Sequence, residues 1–240
     1  MTRRPIVLTA FFLLMLLAMR LPRAAAHAGA AIALKKILVS FRGMHGISMH
    51  FICEKKLVVL KHPFISGGAI AIQQPDRVRF ATNWPYRSCF ILRGSRVYRR
   101  TENNHHWRTG KGSKQQVVQR IMRQFAGWSL GQFGDISRDY HVLAGKGLSA
   151  AAPPPPTPRA ASWVRRNHFP KKLQIFTLIP KSRSVRHAVD AIRLGFLPRG
   201  HQLRLISMHF ADGSKSIYWL GDIRINPRFP HDEFRPKGQP

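Results

Sequence analysis

Short runs of alternating polar and apolar residues, punctuated by turn residues, fill two long stretches of this chain. A period of two places successive side chains on opposite sides of an extended backbone, so such runs predict sheet with one face buried. "ISMHFICEKKLVVL", from Ile47, reads as a first strand. In "FISGGAIAIQQP", Gly67-Gly68 marks a turn or bulge. Beyond it, Ile70 and Ile72 share one face, while Ala69, Ala71 and Gln73 share the other. Pro75-Asp76 turns the chain, and "RVRFAT" points Arg77 and Arg79 out and Val78 and Phe80 in. "SCFIL", the Arg93-Gly94 turn and "RVYRR" predict a hairpin, with "HHWRT" as a further strand. The second stretch holds "KLQIFTLIP", where Phe176 and Leu178 alternate with Thr177, then "VDAIRLGF", "QLRLISMHF" and "SIYWLGDIRI". Asp212-Gly213 between the last two is a hairpin signal. The expected count is about eight to ten antiparallel strands.

Two segments change period. In "AIALKKILVSFRG", Leu34, Ile37, Leu38 and Phe41 fall on one helical face and Gly43 ends the helix. Ser113 caps "KQQVVQRIMRQFAGW", where Val117, Ile121 and Phe125 recur every four residues and Gly127 closes the helix. The fold class is therefore mainly β within α+β. We expect one strongly curved antiparallel sheet, or incomplete barrel, with helices across its open side.

The segment "GKGLSAAAPPPPTPRAAS" cannot join a sheet, because its prolines favour extended polyproline II. It reads as an insertion at about residues 148–162 in a single domain over residues 29–240. The alternative is a linker between two domains, but neither side has enough strands for its own core.

The first residues read as an address. Arg3-Arg4, the apolar run from Ile6 to Met19 and Ala26-His27-Ala28 have the order of a secretory signal peptide over residues 1–28. The apolar run is short for a membrane span, although an uncleaved anchor is the other reading. The mature chain is expected outside the cytoplasm, in a bacterial periplasm. Its charge is extreme: 40 Lys and Arg against 10 Asp and Glu, a formal +30. Losing Arg3, Arg4, Arg20 and Arg23 with the leader leaves +26. Such a surface attracts polyanions. Export disfavours nucleic acid, so peripheral contact with anionic membranes or lipopolysaccharide stands beside a merely solvated arginine-rich surface. Cys53 and Cys89 could pair in an oxidising compartment or be two buried strand thiols.

Catalytic motifs are scarce. There is no H-E-x-x-H and no C-x-x-C, and His105-His106, being adjacent, would point to opposite faces of a strand. The G-x-S-x-G spacing at Gly127-Trp128-Ser129-Leu130-Gly131 follows a helix-period run and not a strand, so it does not read as an esterase elbow. Gly110-Lys111-Gly112-Ser113 does not complete a phosphate loop. No catalytic residue, metal ligand or cofactor is assigned, and the chain is read as a non-enzyme. The apolar sheet face is either an ordinary core or a cavity for an apolar ligand.

The order of motifs resembles the LolA-type outer-membrane lipoprotein carriers. "FICEKKLVVLKHPFISGGAIAIQQPDRVRFATNWPYRSCFILRGSRVY" is similar to their N-terminal sheet at Phe51, Leu57, Ser66, Gly68, Pro75, Phe80, Pro85, Ser88 and Gly94. "IFTLIP" is similar to their strand ending in Leu-x-Pro, and the segment from Ile206 to Phe234 to their terminal hairpin. The resemblance implies an incomplete barrel whose apolar cavity holds acyl chains beneath a helical lid. It implies transfer of an acylated lipoprotein, or another lipid, from an inner-membrane ABC transporter to an outer-membrane acceptor by a monomeric carrier. By the same resemblance, Phe51, Ile70, Ile72, Val78, Phe80, Phe176 and Leu178 would line the cavity. Val117, Ile121 and Phe125 would be the inner face of the lid. Gln74 stands where the family has an arginine that latches the lid, and Cys53 stands at a family glutamine. The other reading is a basic envelope protein that binds anionic lipid or lipopolysaccharide surfaces without a cavity ligand.

Overall fold

In a computed structural model, the structure describes residues 21–41, 43–109, 123, 126, 127, 129, 130, 136–145, 148, 149, 162, 163, 165–167, 169 and 172–236. Six strands follow the first helix: α1 (Leu21–Val39), then β1 (Gly46–Lys56), β2 (Phe64–Gln73), β3 (Arg77–Trp84), β4 (Ser88–Arg93), β5 (Arg96–Thr101) and β6 (Asn104–Thr109). A short α2 (Ile136–Asp139) leads into β7 (Tyr140–Ala144), β8 (Leu148–Ser149) and β9 (Lys172–Pro180). After α3 (Arg183–Arg186) come β10 (Val189–Phe196), β11 (Leu203–Phe210) and β12 (Lys215–Ile225).

The strands form one antiparallel path in the order β6-β5-β4-β3-β2-β1-β12-β11-β10-β9-β7, with β8 also on β9. The two ends of the path do not pair with each other among the described residues, so the sheet is open. Two meanders meet at its centre, where β1 pairs with β12 from Ile47↔Ile225 to Lys56↔Lys215. This is the expected fold class, with more strands than the eight to ten foreseen. The short β7, "YHVLA", and the two-residue β8 carry too little alternation to stand out in sequence.

Two local expectations are sharpened. The pair Gly67-Gly68 is a bulge and not a turn: β2 runs through it, with a register shift against β3. Glycine is required there by close approach. A Cβ on Gly68 would run into the Ala81 carbonyl, and one on Gly67 into the Trp84 indole. The first strand, in contrast, is shorter than its composition suggests. It ends at Lys56, and "LVVL" forms a turn in which the Leu60 amide donates to the Leu57 carbonyl. Lys56 faces Lys215, the first residue of β12, so beyond it the partner strand has run out.

Helix α1 follows its pattern. Ala30, Leu34, Ile37 and Phe41 are buried at helical spacing. Gly43 leaves the helix at φ +85°, a conformation open to glycine. The Ala26-His27-Ala28 site lies within α1, ahead of Ala30. At the proline-rich segment, β8 and β9 pair with each other through Leu148↔Leu173 and Ser149↔Lys172. The chain thus leaves and re-enters the same ladder.

Candidate functional site

The pleat sorts the sheet into two chemically different faces. On one, here called inner, cross-strand neighbours form apolar rows. Ile47, Ile72, Val78 and Leu92 face one another in turn across β1 to β4, as do Met49, Ile70, Phe80 and Phe90. On the other half, Val142, Leu178, Ile192 and Met208 form a third row, and Phe176, Leu194, Ile206 and Tyr218 a fourth. α1 lays Leu34 and Ile37 into the same cluster.

All seven residues expected to line a cavity lie together here. Phe51, Ile70, Ile72, Val78, Phe176 and Leu178 are buried in this cluster and Phe80 packs against it. Phe51 and Phe80 sit with ring centroids 4.8 Å apart, and Tyr218 completes an aromatic trio at 5.8 and 6.2 Å. Phe41 of the α1–β1 connection and Phe176 both meet Phe196 edge-on, at 6.2 and 6.1 Å. Met49, Leu194, Phe196, Ile206 and Leu220 belong to the same surface. Their alternation within β1, β10, β11 and β12 was readable, but no single strand says which rows will adjoin.

Among the described residues, the face is largely buried. A recess of ≈140 Å³ remains beside Phe41, Met44, Met49, Leu203 and Leu220. Its size is on the scale of one benzene ring, not an acyl chain. The expected lid residues Val117, Ile121 and Phe125 lie outside the described residues. Nearby, Ala126 and Leu130 are buried in the inner cluster, and the Arg123 guanidinium donates to the Gly94 carbonyl at 3.1 Å. Gln74 donates its side-chain amide to the Met44 carbonyl at 2.8 Å, while its backbone N–H donates to the His45 carbonyl. It thus ties the β2–β3 turn to the α1–β1 connection.

The outer face is polar and arginine-lined. Ala69, Ala71 and Ala81 floor a groove of ≈670 Å³ walled by Arg79, Arg224 and the C-terminal tail. Arg79 and Glu233 pair at 2.7 Å, and His50 and Asp222 at 3.1 Å. Burial pulls Arg79 down, but its hydrogen bonds with Glu233 and Cys89 outweigh this and hold its pKa above the usual arginine value. Arg77, Arg93 and Arg96 stand directly opposite one another across β3, β4 and β5. Farther along this face, Trp163 and Phe169 dock beside Ile52 and Trp219. A Cβ on Gly221 would strike Asn167, whose side-chain oxygen accepts the Asp222 amide at 2.7 Å.

The cysteines answer the pairing question. Both are free and buried, Cys53 in the inner cluster and Cys89 in a separate outer one with Ala81 and Ile91. The sheet separates them. Burial pushes the Cys53 thiol up to about 11, against the lowering effect of its hydrogen bond with Tyr218. Burial likewise raises Cys89, opposed by Arg79. Neither is a primed nucleophile. Among the described residues, no group of three or more His, Cys, Asp or Glu is placed to hold a metal ion.

No family model matches the chain, and no curated protein matches it. Solved structures similar to it include a LolA superfamily protein from Nitrosomonas europaea, at 11% identity and a TM-score of 0.40, covering 85% of this chain and 97% of that one. A putative outer membrane lipoprotein-sorting protein domain from Vibrio parahaemolyticus aligns at 8% identity and TM-score 0.42, over 87% and 97% of the two chains. The Mycobacterium tuberculosis lipoprotein LppX aligns at 11% identity and TM-score 0.46, over 84% and 98%. All three are distant likenesses.

Proposed function

We infer that this chain is a periplasmic, non-enzymatic carrier that holds the acyl chains of a lipoprotein or lipid against the inner face of its sheet. The observation that carries the reading is the gathering of Phe51, Ile70, Ile72, Val78, Phe80, Phe176 and Leu178 on one continuous apolar surface beneath α1. A fatty acyl chain gains about 0.8 kcal/mol per CH₂ removed from water. Release into solution is therefore costly, and an apolar face offered for that chain offsets the cost. A recess of ≈140 Å³ admits only a few carbons. Loading of a full acyl chain would then have α1 move off the sheet, in the manner of a lid. Residues 29–240 would form the single carrier domain, with the proline-rich stretch as an insertion and residues 1–28 as a cleaved leader. The transporter and acceptor implied by the resemblance would be its partners.

The deciding experiment is mass spectrometry of an organic extract of the purified protein, followed by titration of delipidated protein with a fluorescent fatty acid. Bound acyl lipid and saturable uptake are expected. A protein that carries no lipid and takes up no fatty acid overturns the carrier reading.

A second reading, a basic envelope protein without a cavity ligand, is favoured by the Arg77–Arg93–Arg96 row. Like charges directly opposite across strands cost stability unless an anion lies over them. It predicts vesicle binding that collapses with salt and no uptake of fatty acid.

A further inference from the structure

The β1–β2 connection is an apolar tip at the end of the sheet. Val58 and Val59 take the two central positions of the Leu57–Leu60 turn, where Gly, Asn, Asp, Pro and Ser are the usual residues. They are 69% and 87% exposed, and Leu60 is exposed beside them. Folding gains nothing by putting two branched apolar residues there, because neither is buried. Nor is the tip a loose arm. Val58 leans on the β11–β12 turn, where a Cβ on Gly213 would lie 3.3 Å from its methyl carbon. At the same end Phe64 and Tyr86 are exposed and stack with parallel rings, 6.3 Å between centroids. Lysines surround this apolar end: Lys55 and Lys56 close β1, Lys61 follows the tip and Lys215 opens β12. The acids nearest in sequence are Glu54 and Asp212.

We propose that this tip is a membrane-docking element, with Val58, Val59 and Leu60 entering the interface of an anionic bilayer while the lysines contact lipid phosphates. The occupant follows from the chemistry. Exposed apolar side chains seek the acyl boundary, and a cationic rim favours anionic headgroups over a neutral surface. Lysine stems are apolar and their ammonium groups reach the headgroup level, so the rim and the tip engage together. The element stands independently of what the inner face holds. It gives the chain a fixed end to present to a membrane, whether as a carrier or as an envelope protein.

The test uses the purified full chain and vesicles of phosphatidylcholine containing about one third phosphatidylglycerol. A nitrobenzoxadiazole label on Val59→Cys should brighten, shift to the blue and be quenched by lipid-borne quenchers. Buried Cys53 and Cys89 leave the new thiol as the reactive one. The double change Val58→Asp with Val59→Asp should weaken co-flotation by about tenfold or more. Val58→Ser with Val59→Ser should weaken it less, and an unchanged circular dichroism spectrum checks that both variants fold. A label that stays in water on vesicle-bound protein overturns the proposal, and so does undiminished flotation of the aspartate variant. Either result would transfer membrane binding to another basic face. Fatty-acid uptake by the aspartate variant should match the parent, which separates failure of the tip from failure of the carrier reading.

Discussion

The two faces of the sheet share one backbone and differ in almost everything else. The inner face is built of Ile, Leu and Phe, covered by α1. The outer face is floored by alanines and walled by arginines, with a tryptophan cluster docked over β11, β12 and β1. Each strand supplies both. In β3, Val78 and Phe80 turn inward while Arg79 and Ala81 turn outward. The energetics differ accordingly. The inner face is held by apolar burial, which scales with area. The outer face is held by two smaller apolar clusters, around Trp219 and around Ile91, by close backbone approach and by partly exposed ion pairs worth little each.

This contrast can be broken in order of size. Phe176→Ala removes a fully buried ring from the inner face and should cost about 3–5 kcal/mol in chemical denaturation. A loss under about 1 kcal/mol would mean that the inner face relaxes freely, as an openable cavity would. On the outer face, Gly221→Val forces a side chain against Asn167 and Trp163 and should cost about 1–3 kcal/mol. A neutral result would detach the tryptophan cluster from the stability of the sheet. Glu233→Gln leaves Arg79 without its carboxylate. Because Arg79 is 38% exposed, the loss should stay below about 1 kcal/mol and shrink further in salt.

The cysteines sharpen the comparison without changing stability. In native protein at pH 8 both should resist a thiol reagent, and both should react once unfolded. Labelling of Cys53 should speed up with pH until the medium nears its raised pKa of about 11. If the inner face opens to admit lipid, Cys53 should react before Cys89 and be protected by added fatty acid. Equal rates would argue for global unfolding alone. The smallest effect concerns His209. Burial first, then Arg193 and Lys215, lower its pKa below the ordinary value. The folded state therefore favours the neutral ring. That contribution is complete above the unfolded value near 6.5 and is lost as pH falls from there through the depressed folded one. Melting at pH 5.5 against 7.5 should show a share of under about 2 °C that His209→Gln removes.

Much of this was legible in the chain. A period of two in "RVRFAT" and a period near four in "AIALKKILVSF" fix which side chains share a side, because backbone geometry imposes those periods locally. That period put Ile70 with Ile72, Val78 with Phe80, and Phe176 with Leu178 on shared sides, while the resemblance supplied Phe51 and the expectation that all seven line a cavity. Composition marked Gly67-Gly68 as a turn or a bulge without choosing between them. Other features were not legible. "LVVL" has the composition of a strand and is a turn, because a strand requires a partner and β12 begins only opposite Lys56. Cys53 and Cys89 have similar apolar surroundings in sequence, yet lie on opposite faces.

The sequence by itself determined most of the elements, their amphipathic faces and the excess of positive charge, since these are set by local geometry and composition. Only the tertiary structure decided which rows adjoin, that α1, Ala126 and Leu130 pack into the inner face, and that two valines end up in solvent beside lysines. Those outcomes depend on pairings between residues more than a hundred positions apart, such as Ile47 with Ile225. No local pattern encodes them.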